Sequence, residues 1–407
     1  MNTRIVLAYS GGLDTSVLLK RFALDGYDVI ALTADLGESD AIAGGGAAQA
    51  LQAVKEKALA LGAREALLVD AKQRFITDFA YKALQANALY QGIYPLSAAL
   101  SRPLIAELLV ETAHAYGAEV VAHGCTGKGN DQVRIELGVR ALDPQLLCRA
   151  PLREHPLSRP DAIAYAREHN VPIAHTQEKP YSIDANLWGR SIEAGVLEDP
   201  WNAPPEDAYA WTASPQVQPS QPDDIVIEFH AGLPVYGESA EWQYVAELNA
   251  LAGKHGIGRI DMVEDRVIGL KSREIYECPA SSVLIAARKA LERVVLTRDE
   301  LRFKAQCDQK YGELVYDGLW MSPLRTALDA FNAVGAERVR GRVRVRLYRG
   351  VAAVTGVDSP LGLYSQAHAT YGSGDLFDHH AAGGFISLHG LPLELVARAT
   401  AAQAVVA

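Results

Sequence analysis

Two glycine-bearing stretches hold the residue types that could do chemistry. In the first, "LAYSGGLDTS" (Leu7–Ser16), an apolar run breaks at Ser10-Gly11-Gly12 and a helical pattern opens at Val17. Gly11 and Gly12 allow a sharp turn and a close approach of the backbone to another molecule. Ser10, Thr15 and Ser16 add hydroxyls beside the free N–H groups of a helix start, which together favour an anion. The spacing is neither that of a P-loop nor that of a dinucleotide fingerprint, which leaves a short phosphate nest. The same residues would also serve an ordinary strand-to-helix turn with Asp14 or Thr15 as the N-cap.

The second stretch, "HGCTGKGNDQVR" (His123–Arg134), sets Thr126, Lys128, Asn130, Asp131 and Arg134 among three glycines. Gly127 and Gly129 let N–H groups turn inward, as a nest for a phosphate or carboxylate requires. Asn130 and Asp131 offer groups for an amino group or a metal, and Arg134 can grip a carboxylate with two donors. A tight loop accounts for the glycines alone and not for this set of polar neighbours. Weaker signals follow. "EKPYSIDANLWGRS" supplies Ser182 and Ser191, read as a polar loop, and "DMVEDRVIGLKSREIYE" supplies Glu264, Lys271, Ser272, Arg273 and Tyr276. "YPLSAALSRP" carries Tyr94 and Arg102 ahead of a helix placed near Pro103.

These side chains need a scaffold. Short apolar runs at Arg4–Ala8, Val29–Thr33, Ala66–Val69 and Val120–Ala122 alternate with helical patterns, which predicts a parallel sheet covered on both faces. Such sheets bind ligands at the carboxyl ends of their strands. Ser10-Gly11-Gly12, Ala34-Asp35 and His123-Gly124 each follow a strand and therefore point to one edge. Asp40–Ala50, with Gly44-Gly45-Gly46, reads as a surface loop. The Pro- and Gln-rich segment from Asn202 to Asp224 reads as an irregular crossing. From Ile225 the pattern turns α+β, with a strand at Ile225–Phe229 and helices near Ser281–Val294 and Leu324–Val334. "RVRGRVRVRLYRG" (Arg338–Gly350) places its arginines on one strand face, expected to be solvated or to meet acidic residues of another subunit.

At 407 residues the chain exceeds one ordinary core. Its formal net charge of −10 argues against a non-specific nucleic-acid binder. The four cysteines (Cys125, Cys148, Cys278, Cys307) form no Cys-x-x-Cys pair, a pattern that fits reduced thiols. With no apolar run of membrane-spanning length and no signal pattern at the start, a cytoplasmic protein without membrane contact is expected.

Taken together, "AYSGGLDTS", "HGCTGKGNDQVR", "KPYSIDANL" and "HGIGRIDMVEDRVIGLKSREIYE" resemble the argininosuccinate synthase family, from about residue 4 to about 365. The first motif alone is shared with other pyrophosphatase-type ATP enzymes. The resemblance implies an adenine-nucleotide α-hydrolase-like α/β domain at 1–174, an α+β synthetase domain at 175–362 and a C-terminal helical arm at 363–407. It implies ligation of citrulline to aspartate in arginine biosynthesis through a citrullyl-adenylate, with AMP and pyrophosphate released. ATP, with Mg²⁺, would lie on Ala8, Tyr9, Ser10, Gly11, Gly12, Leu13, Asp14, Thr15, Ser16, Ala34 and Gly124. Citrulline would be held by Tyr94, Asn130, Arg134, Ser182, Ser191, Glu264 and Tyr276, and aspartate by Thr126, Asn130 and Asp131. A homotetramer in which the C-terminal arm reaches a neighbour is implied as well. No general base stands out, and Asp14 and Asp131 are both open as metal ligands. Three departures from the family pattern are evident: Ser97-Ala98-Ala99 in place of Gly-Thr-Ser, Gly189-Arg190 in place of His-Ile, and the Gly44–Gly46 insertion. A tRNA-thiolating enzyme and a non-enzymatic ATP sensor share the first motif and are the two rival readings.

Overall fold

A computed structural model describes residues 3–38, 47–172, 181–237, 239–372 and 374–406 of the chain. Of the loop expected at Asp40–Ala50, residues 40–46, with Gly44–Gly46, lie outside the described residues, and Ala47 to Ala50 open the helix Ala47–Ala60 instead. The chain divides into two compact units, residues 1–361 and 362–407.

The first unit opens with five parallel strands, β1 (Arg4–Ala8), β2 (Asp28–Asp35), β3 (Glu65–Asp70), β4 (Val120–Ala122) and β5 (Leu147–Arg149), in the order β3-β2-β1-β4-β5. Alternation along β1 divides its side chains between two cores. Ile5 and Leu7 pack with Val17, Leu18 and Phe22 of the helix Leu13–Leu24 and with Ala58 of the helix Ala47–Ala60. Val6 faces the other way, into a core containing Leu100, Leu104 and Leu108 of the helix Ser97–Tyr116. Both faces are therefore covered, and the strands read as continuous apolar runs for that reason. The strand order reverses between β1 and β4, which opens the crevice where such sheets take ligands.

Two antiparallel sheets follow. β6 (Ser182–Asn186), β7 (Gly189–Glu193), β10 (Arg259–Asp265) and β11 (Lys271–Glu277) form one, in the order β10-β11-β7-β6. β8 (Asp223–His230), β9 (Leu233–Val235), β12 (Gly341–Tyr348) and β13 (Val351–Asp358) form the other, in the order β13-β12-β8-β9. The helix Pro279–Val295 contributes Val283, Leu284, Ala287 and Leu291 to the core shared by these sheets. The helix Arg298–Tyr316 starts at a capping box in which Thr297 and Glu300 satisfy each other's backbone N–H groups.

Several local expectations are corrected. The helix placed near Pro103 begins at Ser97, with Pro103 inside it, because buried Ala99 and Leu100 continue its apolar face toward the N-terminus. Ser182 and Ser191 belong to a β-hairpin rather than a loop. Of the Arg338–Gly350 arginines, Arg342, Arg344 and Arg346 occupy the exposed face of β12, where Arg342 pairs with Asp358 at 2.8 Å and Arg346 with Asp224 at 2.7 Å in the same sheet. Arg338 lies before the strand and pairs with Glu300 of a helix. The second unit is a short helix, Gln366–Ala369, and a long one, His379–Val406, whose Phe385, Ile386, Leu388, Leu393 and Val396 side chains are exposed.

Candidate active site

The first loop divides into a front and a back. Gly12, not Asp14 or Thr15, is the N-cap of the helix Leu13–Leu24, and no side chain caps it. Its first-turn N–H groups are thus left without the acceptor that a capping side chain would give. Ser10, Gly12 and Asp14 are exposed, whereas Tyr9, Thr15 and Ser16 are buried and brace the turn from behind. The Tyr9 hydroxyl lies 3.1 Å from Ser16 Oγ, Ser16 Oγ donates to the Gly11 carbonyl at 3.3 Å, and Ser10 Oγ lies 3.1 Å from Thr15 Oγ1. Gly11 has φ +76°, and a Cβ there would come within 2.9 Å of Val54. Leu13 continues directly into the helix. Ala34 and Gly124 stand at the ends of β2 and β4 on the same sheet edge. Gly124 is a close-approach glycine, since a Cβ would lie 2.9 Å from the Thr15 methyl.

In the second loop neither Gly127 nor Gly129 takes positive φ. Gln132 Nε2 holds their carbonyls instead, at 2.7 and 3.2 Å. A Cβ on Gly129 would meet nothing within 4 Å, because Gly129 borders a cavity.

That cavity, about 140 Å³, is where the separate motifs meet. Its lining includes Tyr94, Asn130, Asp131, Arg134, Ser182, Ser191, Glu264 and Tyr276. Thr126 and the first loop are not in the lining. Hairpin register explains how two serines arrive together: Ser182 pairs with Glu193 and Ser191 with Asp184, so all four residues share one face of the sheet. Glu264, 3% exposed, accepts from the hydroxyls of Tyr276 (2.7 Å) and Tyr316 (2.6 Å). Burial raises its carboxyl above the usual range, and the two tyrosine hydrogen bonds oppose this. Tyr316 also accepts from Asn130 Nδ2 at 2.9 Å, and its backbone carbonyl accepts from Arg134 Nε at 2.9 Å. The rings of Tyr94 and Tyr276 stack at 3.8 Å.

Charge at the lining is arranged by three arginines. Arg102 bridges Asp131 (2.7 Å) and Asp184 (2.9 Å), and Arg134 reaches Asp131 at 3.2 Å. Burial works against the Asp131 carboxylate, but Arg102 and Arg134 outweigh it and hold the group down at about 2. Arg266 joins Glu193 and, at 2.7 Å, Glu274, and donates to the Lys128 carbonyl at 3.0 Å. Burial first, and then the charge of Glu193, push Glu274 up to about 8.

Sequence reasoning missed Asp184, Glu193, Arg266, Glu274 and Tyr316. Asp184 and Glu193 were findable, each two residues from a singled-out serine and so on its face of a strand. Tyr316 carries no motif and arrives only through packing. At the altered Ser97-Ala98-Ala99 stretch, Ala98 lines the cavity while Ser97 and Ser101 are buried outside its lining.

A five-stranded parallel sheet with a nest at its switch point, joined to a polar cavity between a glycine loop and an antiparallel sheet, defines a nucleotide-binding enzyme of the HUP type. Residues 4–172 match the model of the arginosuccinate synthase N-terminal HUP domain, and residues 181–396 match that of the arginosuccinate synthase C-terminal domain. The argininosuccinate synthase of Geobacillus kaustophilus is 53% identical over 397 residues, 97% of this chain and 96% of the relative. That of Bacillus thuringiensis is 51% identical over 395 residues, 96% of each chain. The chain belongs to the argininosuccinate synthase family, the ATP-using ligases that join citrulline to aspartate in arginine biosynthesis.

Proposed function

We propose that the ligation runs in two steps on the sites described. The ureido oxygen of citrulline is a feeble nucleophile and a poor leaving group, so it must be activated. It attacks the α-phosphorus of ATP; an O–P bond forms, the α–β bridge breaks and pyrophosphate leaves, giving a citrullyl-adenylate. The aspartate amine then adds to the activated ureido carbon and expels AMP. The proton lost from the aspartate ammonium goes to a nucleotide phosphate, and no side chain is assigned as the base. Catalysis of this kind rests on positioning and charge neutralisation.

In this reading Ala8–Ser16, Ala34 and Gly124 take ATP, with the triphosphate on the uncapped helix start. Thr126, Asn130 and Asp131 take aspartate. Tyr94, Asn130, Arg134, Ser182, Ser191, Glu264 and Tyr276 take citrulline, Arg134 meeting its carboxylate and Glu264 its ammonium. One observation carries the citrulline assignment: residues from four distant stretches line a single cavity that holds both an arginine and a buried carboxylate. Mg²⁺ enters on the phosphates of the nucleotide substrate. Among the described residues no three His, Cys, Asp or Glu side chains converge as a metal site. Burial pushes the Cys125 thiol up to about 12, which disfavours the thiolate that a thiolating enzyme would need.

The test is a pyrophosphate-release assay across amino acids and tRNA. Release that requires citrulline, with AMP and argininosuccinate formed on adding aspartate, is the expected result; release driven by tRNA or by neither overturns it. We further propose a cytoplasmic homotetramer joined through residues 363–407. Truncation after Gly362 is expected to yield smaller species in light scattering, and an unchanged mass would remove that arm from the assembly.

A further inference from the structure

We infer that Lys57 positions the phosphate loop and supplies positive charge to the pyrophosphate half of the nucleotide. The inference rests on the reading that this loop takes the triphosphate. Lys57 belongs to the helix Ala47–Ala60, far from both glycine motifs in sequence and outside any pattern that the sequence offers. Its half-buried side chain crosses to the loop, where Nζ donates to the Gly11 carbonyl at 2.8 Å. Val54, three residues earlier and so on the same helix face, packs where a Gly11 side chain would be. One helix face therefore grips the loop at its single left-handed residue, with an apolar contact and a cation.

The chemistry of that grip favours an anion. A backbone carbonyl turned toward a phosphate would repel it, and this one is drawn instead to Lys57 and, at 3.3 Å, to Ser16 Oγ. Because the carbonyl and the following N–H point opposite ways across a trans peptide, fixing the Gly11 oxygen fixes the direction of the Gly12 N–H. An ammonium has three donors, and the Gly11 carbonyl takes one. The others suit phosphate oxygens whose charge grows as pyrophosphate departs. Lys57 is thus a positioning residue for the loop with a charge suited to the leaving group.

The test compares Lys57→Met, Lys57→Arg and Ser10→Ala in the full-length enzyme. For Lys57→Met, KM for ATP and the inhibition constant of added pyrophosphate are each expected to rise about tenfold, the loss of one charge-assisted hydrogen bond. KM for citrulline and aspartate should hold, and Lys57→Arg should recover most of the loss. A mere staple between helix and loop would lower the melting temperature and leave pyrophosphate inhibition alone, which would overturn the proposal. A raised ATP KM in Ser10→Ala with wild-type values in Lys57→Met overturns the lysine's role only. Wild-type values in both variants overturn the loop assignment and the lysine's role together.

Discussion

Glu264 and Glu277 stand at opposite ends of neighbouring strands, and both are buried, at 3% and 0% exposure. Their surroundings differ. Glu277 is saturated: it accepts from the backbone N–H groups of Ala210, Trp211 and Thr212, from the Thr212 hydroxyl at 2.7 Å and from Arg190 at 2.5 Å. Arg190 in turn donates to the Ala208 carbonyl. This pair pins the segment Ala208–Thr212 onto the sheet and opens onto nothing. Glu264 has two tyrosine donors and a wall of the cavity. Burial of charge alone does not mark function. What separates the two is whether the protein has satisfied the carboxylate itself or has left part of its capacity facing a space where a ligand fits.

The contrast can be broken in order of expected effect. Glu277→Ala would strand the Arg190 guanidinium without its partner, and a loss of about 3–5 kcal/mol of stability is expected. Chemical denaturation would measure it, with citrulline KM of the folded fraction unchanged. A stable variant with altered citrulline KM would reverse the assignment of the two glutamates. Arg134→Ala is expected to act mainly on binding, weakening citrulline by about 2–5 kcal/mol, because a buried carboxylate loses a charge-assisted partner. Isothermal titration with citrulline checks this, and binding unchanged within error would exclude Arg134 as the carboxylate partner.

The third effect is smaller and depends on pH. Glu274 sits at about 8 in the folded protein, above its unfolded value, so the native state holds a proton that the unfolded chain releases. Its contribution is therefore most favourable below the unfolded pKa of about 4.3 and declines as pH rises toward 8. Glu274→Gln should remove that decline, so the melting temperature should fall less between pH 5 and 8 than in the wild type. Parallel curves for the two proteins would show that Glu274 titrates normally.

How much of this was legible depended on distance along the chain. Four strands of the parallel sheet were readable because each announces itself within a few apolar residues and each helix within its own period, whereas β5, with only Leu147-Cys148-Arg149, gave no such run. Ser10–Ser16 and Thr126–Arg134 could be singled out because glycines and polar groups cluster within a few residues of one another. Glu264 illustrates the limit. In "MVEDR" it looks like part of a solvated charge run, and only the tertiary fold brings the hydroxyls of Tyr276 and Tyr316 to its carboxylate. Gly127 and Gly129 show the converse: their type suggested unusual backbone angles, which neither takes, and Gly129 instead leaves space at the cavity wall.

By itself, then, the sequence determined most elements of the parallel sheet and which short stretches concentrate polar groups, since propensity and periodicity act over a handful of neighbours. The tertiary structure alone decided which polar residues face one another. Tyr316 meets Glu264 and Asn130 across separations of 52 and 186 residues, and Lys57 meets Gly11 across 46. Such contacts follow from how helices and sheets pack, and close-packed cores fix them to within an ångström or so without leaving a pattern in any one stretch of chain.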